Sequence, residues 1–157
     1  MKKLYVAAVI GILITAVICV VSWLNKDGDT LVVCDSETDR VIMRFPASEG
    51  TEFSVEFIHS VNQSPVKDVF VVREGKIFVD RTVYSSFGAG VQTEIEEGQT
   101  LEYDENGNMV VSGFNIEFPR VKYIVGTVSD HILEINGETI SLRDRCGRNA
   151  HIYFELR

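Results

Sequence analysis

Two hydrophobic patterns divide the chain. From Leu4 to Leu24 the residues run without a single charge, whereas after Asp29 apolar residues come in short bursts separated by turn formers. The first run is 21 residues long. As a helix it reaches about 32 Å, enough for a hydrocarbon core of roughly 30 Å. Lys2 and Lys3 precede it, while Lys26 beyond it is offset by Asp27 and Asp29. The positive-inside bias therefore predicts a cytoplasmic N-terminus and an exported remainder, with Trp23 at the interface. A cleaved signal peptide would carry a shorter apolar region of roughly 7 to 15 residues and a small-x-small site. Val20-Val21-Ser22-Trp23-Leu24 offers no such site, and Ala16-Val17-Ile18 lacks the small residues of a lipoprotein signal before Cys19. The expected organisation is a basic stub (1–3), an uncleaved single-pass transmembrane anchor (4–24), a tether (25–29) and one extracytoplasmic β-domain (30–157) at the cell membrane.

The second pattern has no ten-residue stretch of helical periodicity. Runs rich in Val, Ile, Phe, Tyr and Thr predict strands at Thr30–Cys34, Val41–Phe45, Glu52–His59, Asp68–Arg73, Lys76–Tyr84, Gln99–Tyr103, Met109–Phe114, Arg120–Val125, His131–Ile135, Thr139–Leu142 and Ala150–Leu156. Glu74-Gly75, Asn106-Gly107 and Asn136-Gly137 each place a residue that tolerates positive φ between two apolar runs, so three hairpins follow. Glu52 to His59 alternates strictly: Phe53, Val55 and Phe57 share one face, which His59 continues, and Glu52, Ser54 and Glu56 share the other. Short strands at this density predict an all-β fold, an antiparallel sandwich or a partly closed barrel, with little room for helices.

Charge narrows the partners. The chain has 15 basic and 23 acidic residues; with Lys2 and Lys3 left in the cytoplasm, 13 against 23 remain, a net charge of −10. Such a domain repels phosphate backbones, so nucleic acid is not expected. Of the cysteines outside the predicted anchor, Cys34 lies near the start of the domain and Cys146 near its end. An oxidising compartment permits a disulfide between them, which requires the first and last strands to be neighbours; two unrelated buried thiols are the alternative.

Two segments carry candidate chemistry. In Phe57-Ile-His-Ser-Val-Asn-Gln-Ser-Pro-Val-Lys-Asp68, a strand ends in His59 and Ser60 and a polar loop with Asn62 leads through Pro65 to Asp68. Strand scaffolds present binding groups at such ends. In Tyr84-Ser-Ser-Phe-Gly-Ala-Gly-Val91, Ser86 and Phe87 lead into Gly88-Ala89-Gly90, which is read as a bend or bulge between sheets or as a cradle of backbone N–H groups for an anion. No helix start follows the glycines, against a dinucleotide or P-loop site. A hydrolase would need Ser60 or Ser86 with His59 and Asp68 as partners, but adjacent side chains on a strand diverge and no G-x-S-x-G elbow is present. Asp35-Glu37-Asp39 and Asp104-Asn106-Asn108 lack the glycine and glutamate of a calcium loop, and His59, His131 and His151 have no paired spacing. No metal or cofactor is expected.

Phe57 to Val61, Pro65-Val66 to Asp68, and Ser86 to Gly90 together resemble a bacterial domain-of-unknown-function family of short membrane-anchored β-domains. Genes of that family often lie beside TAXI-type TRAP transporters, which import organic acids with an extracytoplasmic solute-binding protein. The resemblance therefore implies a non-catalytic accessory whose partner is the TRAP membrane subunit or its solute-binding protein. In that family glutamate is the commoner residue where Asp68 stands, and the shorter carboxylate changes its reach. The implied contact surface comprises His59, Ser60, Asn62, Pro65, Asp68, Ser86, Phe87, Gly88, Ala89 and Gly90. A stand-alone ligand-binding or sensor domain, with His59 reporting pH, is the second expectation, and the Ser/His hydrolase the third.

Overall fold

A computed structural model describes residues 29–61, 63–85 and 95–157. The predicted anchor at 4–24 lies outside the described residues, and among them no helix is long and apolar enough to cross a membrane. The remainder forms eleven strands: β1 (Thr30–Asp35), β2 (Val41–Pro46), β3 (Glu52–Ile58), β4 (Pro65–Arg73), β5 (Lys76–Tyr84), β6 (Thr100–Tyr103), β7 (Met109–Glu117), β8 (Val121–Ile124), β9 (His131–Ile135), β10 (Glu138–Ser141) and β11 (His151–Leu156). One short helix, α1 (Leu142–Cys146), precedes β11. All pairings are antiparallel. The strands make a four-stranded sheet, β2-β1-β11-β8, and a seven-stranded sheet, β10-β9-β3-β4-β5-β7-β6. Neither closes on itself, so the two-sheet arrangement is formed rather than a barrel.

Strict alternation explains the core between the sheets. Phe53 and Val55 of β3, Phe70 and Val72 of β4, Leu133 and Ile135 of β9, Leu31 and Val33 of β1, and Ile152 and Phe154 of β11 all turn to the shared interior. Phe53 stacks on Phe70 at 5.0 Å and on Phe154 at 5.4 Å, joining the sheets through three rings. The three expected hairpins are present. Glu74 (φ 53°) and Gly75 (φ 69°) turn β4 into β5, and Asn136 (φ 51°) and Gly137 (φ 79°) turn β9 into β10, both with the pair of positive φ values that suits the strand twist. Asp104 organises the β6–β7 turn by accepting from the Asn106 and Asn108 amides.

Three expectations need correction. The helix α1 replaces the end of a predicted strand: Ser141 caps it by accepting from the Asp144 N–H at 3.0 Å, and Gly147 closes it. The strand expected from Asp68 starts three residues earlier, because β4 begins at Pro65, the first-residue position where a missing N–H is tolerated. Cys34 and Cys146 are both free thiols. The first and last strands do pair, with Thr30 and Arg157 exchanging backbone hydrogen bonds. Yet Cys34 packs with Val32 and Tyr153 on the outer face of the small sheet, whereas Cys146 packs against the inter-sheet core. The sheet itself separates them.

Candidate functional site

Alternation along β4 puts Val66, Asp68, Phe70 and Val72 on one face, so a carboxylate stands in an otherwise apolar row turned toward the small sheet. Two hydroxyls meet it. Thr82 of β5, its neighbour in register, donates to Asp68 Oδ1 at 3.0 Å, and Tyr123 of β8, from the opposite sheet, donates to Oδ2 at 2.8 Å. The half-buried carboxylate is thereby held by charge-assisted bonds from both layers. Burial, then the Asp68 charge, pushes the Tyr123 hydroxyl well above its ordinary pKa, so it remains a donor throughout the physiological range.

His131 opens β9 opposite Phe57 and lies flat against that ring, with centroids 5.1 Å apart and planes inclined by 10°. Tyr123 meets both rings edge-on, at 5.9 Å from His131 and 6.2 Å from Phe57. The Gly126 N–H donates to His131 Nδ1 at 3.1 Å, which fixes the tautomer with the proton on Nε2. Gly126 is required there: a Cβ would stand 2.2 Å from the Ser129 carbonyl oxygen. Burial lowers the His131 pKa, with Asp130 and Asp68 pulling the other way. Asp130 is itself shared among the His131 N–H, the Ser141 hydroxyl and the Arg143 N–H, and these bonds outweigh burial to hold it below the ordinary carboxylate range.

Beyond this cluster the large sheet outruns the small one. A cleft of about 490 Å³ opens between them, lined by Asp68, Phe70, Val79, Phe114, Ile116 and Phe118 on one side and by Arg120 to Tyr123 on the other. Ile116 and Phe118 remain 45% and 37% exposed although they lie on the inner face with Val79 and Ile77. The bulge in β7 aims this wall: Ser112 pairs with Arg81 and Ile116 with Val79, so three residues span where β5 has one. Gly113 (φ 81°) carries the bend, and a Cβ at that position would sit 2.4 Å from the Gly98 carbonyl oxygen.

Of the residues expected to form a site, Asp68 enters this cluster. His59, Ser60 and Pro65 instead stand at the sheet end where β3 stops and β4 begins, and Ser85 reaches the same end by donating its N–H to the Pro65 carbonyl. There His59 Nδ1 accepts from the Val61 N–H at 3.3 Å and the Ser60 carbonyl accepts from Gln63 Nε2, so both organise the turn. Asn62 and residues 86–90 lie outside the described residues. Tyr123, His131 and Thr82 were not foreseen. Their signal was polarity on an apolar face: His131 shares its face with Leu133 and Ile135, and Tyr123 with Val121 and Val125.

The family described as a domain of unknown function, DUF1850, matches this sequence over residues 53–142, more than half of the chain. The chain belongs to the DUF1850 family. No curated protein and no solved structure matches it. The DUF1850 match runs from β3 to the first residue of α1. It therefore contains Asp68, Thr82, Tyr123, His131 and both walls of the cleft, while β1, β2 and β11 fall outside it. The part held in common with the DUF1850 family is thus the large sheet together with the one small-sheet strand that faces the cleft.

Proposed function

We propose that this DUF1850 domain is a non-catalytic binding module, held outside a membrane by its N-terminal segment, that serves a TAXI-type TRAP organic-acid transport system as an accessory. The observation that supports this reading is the inter-sheet cleft: an apolar wall left open to solvent beside a fixed polar cluster, as at protein and ligand contact sites. The Asp68 carboxylate already accepts from Thr82 and Tyr123, a positioning arrangement, and His131 is oriented by a backbone amide. The membrane anchor and the transporter come from the sequence and its family resemblance, and the predicted tether of about five residues favours a membrane-bound partner over a diffusing one.

The test is purification of the full chain from native membranes in gentle detergent. The TRAP membrane subunit or its solute-binding protein should co-purify, and deleting the gene should impair organic-acid uptake. Recovery of neither subunit, with uptake unchanged, refutes the accessory reading. A stand-alone sensor is the second reading, favoured by the place of His131 inside the cluster, where burial lowers its pKa. It predicts a thermal shift with organic acids that varies with pH and disappears in His131→Asn.

A further inference from the structure

The two sheets differ in width by three strands, seven against four, so the inner face of the large sheet continues past the last strand of the small one. That last strand is β8. Arg120, Val121, Lys122 and Tyr123 all line the cleft, although Val121 and Tyr123 face the core and Arg120 lies over the Tyr153 ring of the outer face. Only the flank of a strand presents residues of both orientations.

The backbone of that flank is open. Val125 donates its N–H to the Ala150 carbonyl, and the His151 carbonyl accepts from Ser36 on the far side of β11. Hydrogen-bonded pairs alternate in an antiparallel ladder, so Tyr123 and Val121 bond to Ile152 and Phe154 while the N–H and C=O of Lys122 and Ile124 turn away from β11. Among the described residues nothing pairs with them. Ile124 is 55% exposed.

One wall of the cleft thus carries the open backbone N–H and C=O of Lys122, with those of Ile124 next along the same edge, and the other is Phe114, Ile116, Phe118, Phe70 and Val79. An acyl chain would satisfy the second and leave the first unpaired. We infer that the cleft receives an extended segment of a partner protein, which pairs with β8 as a fifth strand of the small sheet and buries alternate apolar side chains on Phe114, Ile116 and Phe118. The inference rests on the reading of this domain as a binding module and supplies the form of its partner. Charge sets the remaining positions of that segment. Lys122 takes part in no ion pair among the described residues, whereas Arg120 is already paired with Glu155 and Asp39, so Lys122 is the uncompensated cation at the cleft border. The solvent-side residue of the incoming strand nearest Lys122 is therefore an acid. A second copy of the chain fits poorly, because two-fold pairing of β8 with β8 puts Arg120, Lys122 or Ile124 opposite Lys122, none of them an acid.

The test uses the full chain in phospholipid nanodiscs and the synthetic heptapeptide Thr-Val-Glu-Val-Glu-Val-Thr with blocked ends, at millimolar concentration. Amide hydrogen exchange at Lys122 and Ile124 should slow at least tenfold. The same peptide N-methylated along the edge that meets β8 should have no effect, and neither should the parent peptide on Ile116→Asp. As a check independent of packing, Lys122→Glu should reverse the preference toward Thr-Val-Lys-Val-Lys-Val-Thr. Unchanged exchange at millimolar peptide overturns the inference. So does protection by dodecanoate without protection by peptide, which makes the occupant an acyl chain, or protection that grows with protein concentration alone, which makes it a second copy. Exchange that responds to peptide while no transporter subunit co-purifies leaves the strand site standing and removes only the transporter; the converse result removes only the strand.

Discussion

Tyr123→Phe deletes one oxygen and tests whether the Asp68 cluster joins the two sheets. The hydroxyl donates to Asp68 Oδ2 at 2.8 Å across the interior, and the ring also meets Phe57, His131 and Phe154. Phenylalanine preserves those ring contacts, so the change isolates the hydrogen bond. A bond to a charged group contributes roughly 1.5 to 3 kcal/mol. Asp68 keeps the Thr82 donor and borders the open cleft, where water can replace the lost hydroxyl, so the expected cost is at the lower end, about 1.5 to 2 kcal/mol. The assay is urea unfolding of the full chain in nonionic micelles, followed by far-ultraviolet circular dichroism at pH 7. Pairing with Asp68→Ala in a double-mutant cycle should give a coupling of about 1 kcal/mol or more. A total cost below about 0.5 kcal/mol, or strict additivity in the cycle, would refute the view that this bond ties the layers together.

His131 makes stability depend on pH. Because burial lowers its folded-state pKa, the unfolded chain binds the proton more readily; the contribution is complete above the unfolded value of 6.5 and declines as pH falls below it, and His131→Asn should flatten that decline in urea melts. Gly113→Ala should destabilise by roughly 2 kcal/mol or more, from positive φ and the approach of the Gly98 carbonyl, read as a shift in the urea midpoint without a change in slope. Cys34 and Cys146 should both take up alkylating reagent after denaturation of protein prepared without reductant; in the folded state Cys146 should react slowly, since burial pushes its thiol up to about 11. A crosslink between them by intact-mass analysis would contradict their placement on opposite faces of the sheet.

The fold was largely legible because its determinants are local. Phe53-Val55-Phe57 alternates over a full strand, and Glu74-Gly75 and Asn136-Gly137 dictate their own turns, so all eleven strands follow from short-range rules. The helix α1 also had a local sign, Ser141 three residues before Asp144 and Gly147 after the last turn, but the apolar run Thr139 to Leu142 masked it. The site was less legible. Asp68 was found, yet Thr82 stands 14 residues away and Tyr123 55, and nothing within either segment states that a second sheet will carry a hydroxyl to that carboxylate. The cleft depends on the unequal widths of the two sheets, a property of strand order. His59 drew attention through its motif, whereas His131 entered the cluster through register with Phe57.

The exchange of backbone hydrogen bonds between Thr30 and Arg157 has a mechanical meaning. Because β1 and β11 run antiparallel from that point, tension applied through these two residues loads their ladder one rung at a time and peels it open, the weak direction for a β-sheet. Traction between Thr30 and the Glu74-Gly75 turn has no such peeling geometry along the β1–β11 seam. The same proximity allows Thr30 and Arg157 to be joined by a short linker and the chain reopened at Glu74-Gly75, giving a circular permutant that retains both sheets and the cleft between them.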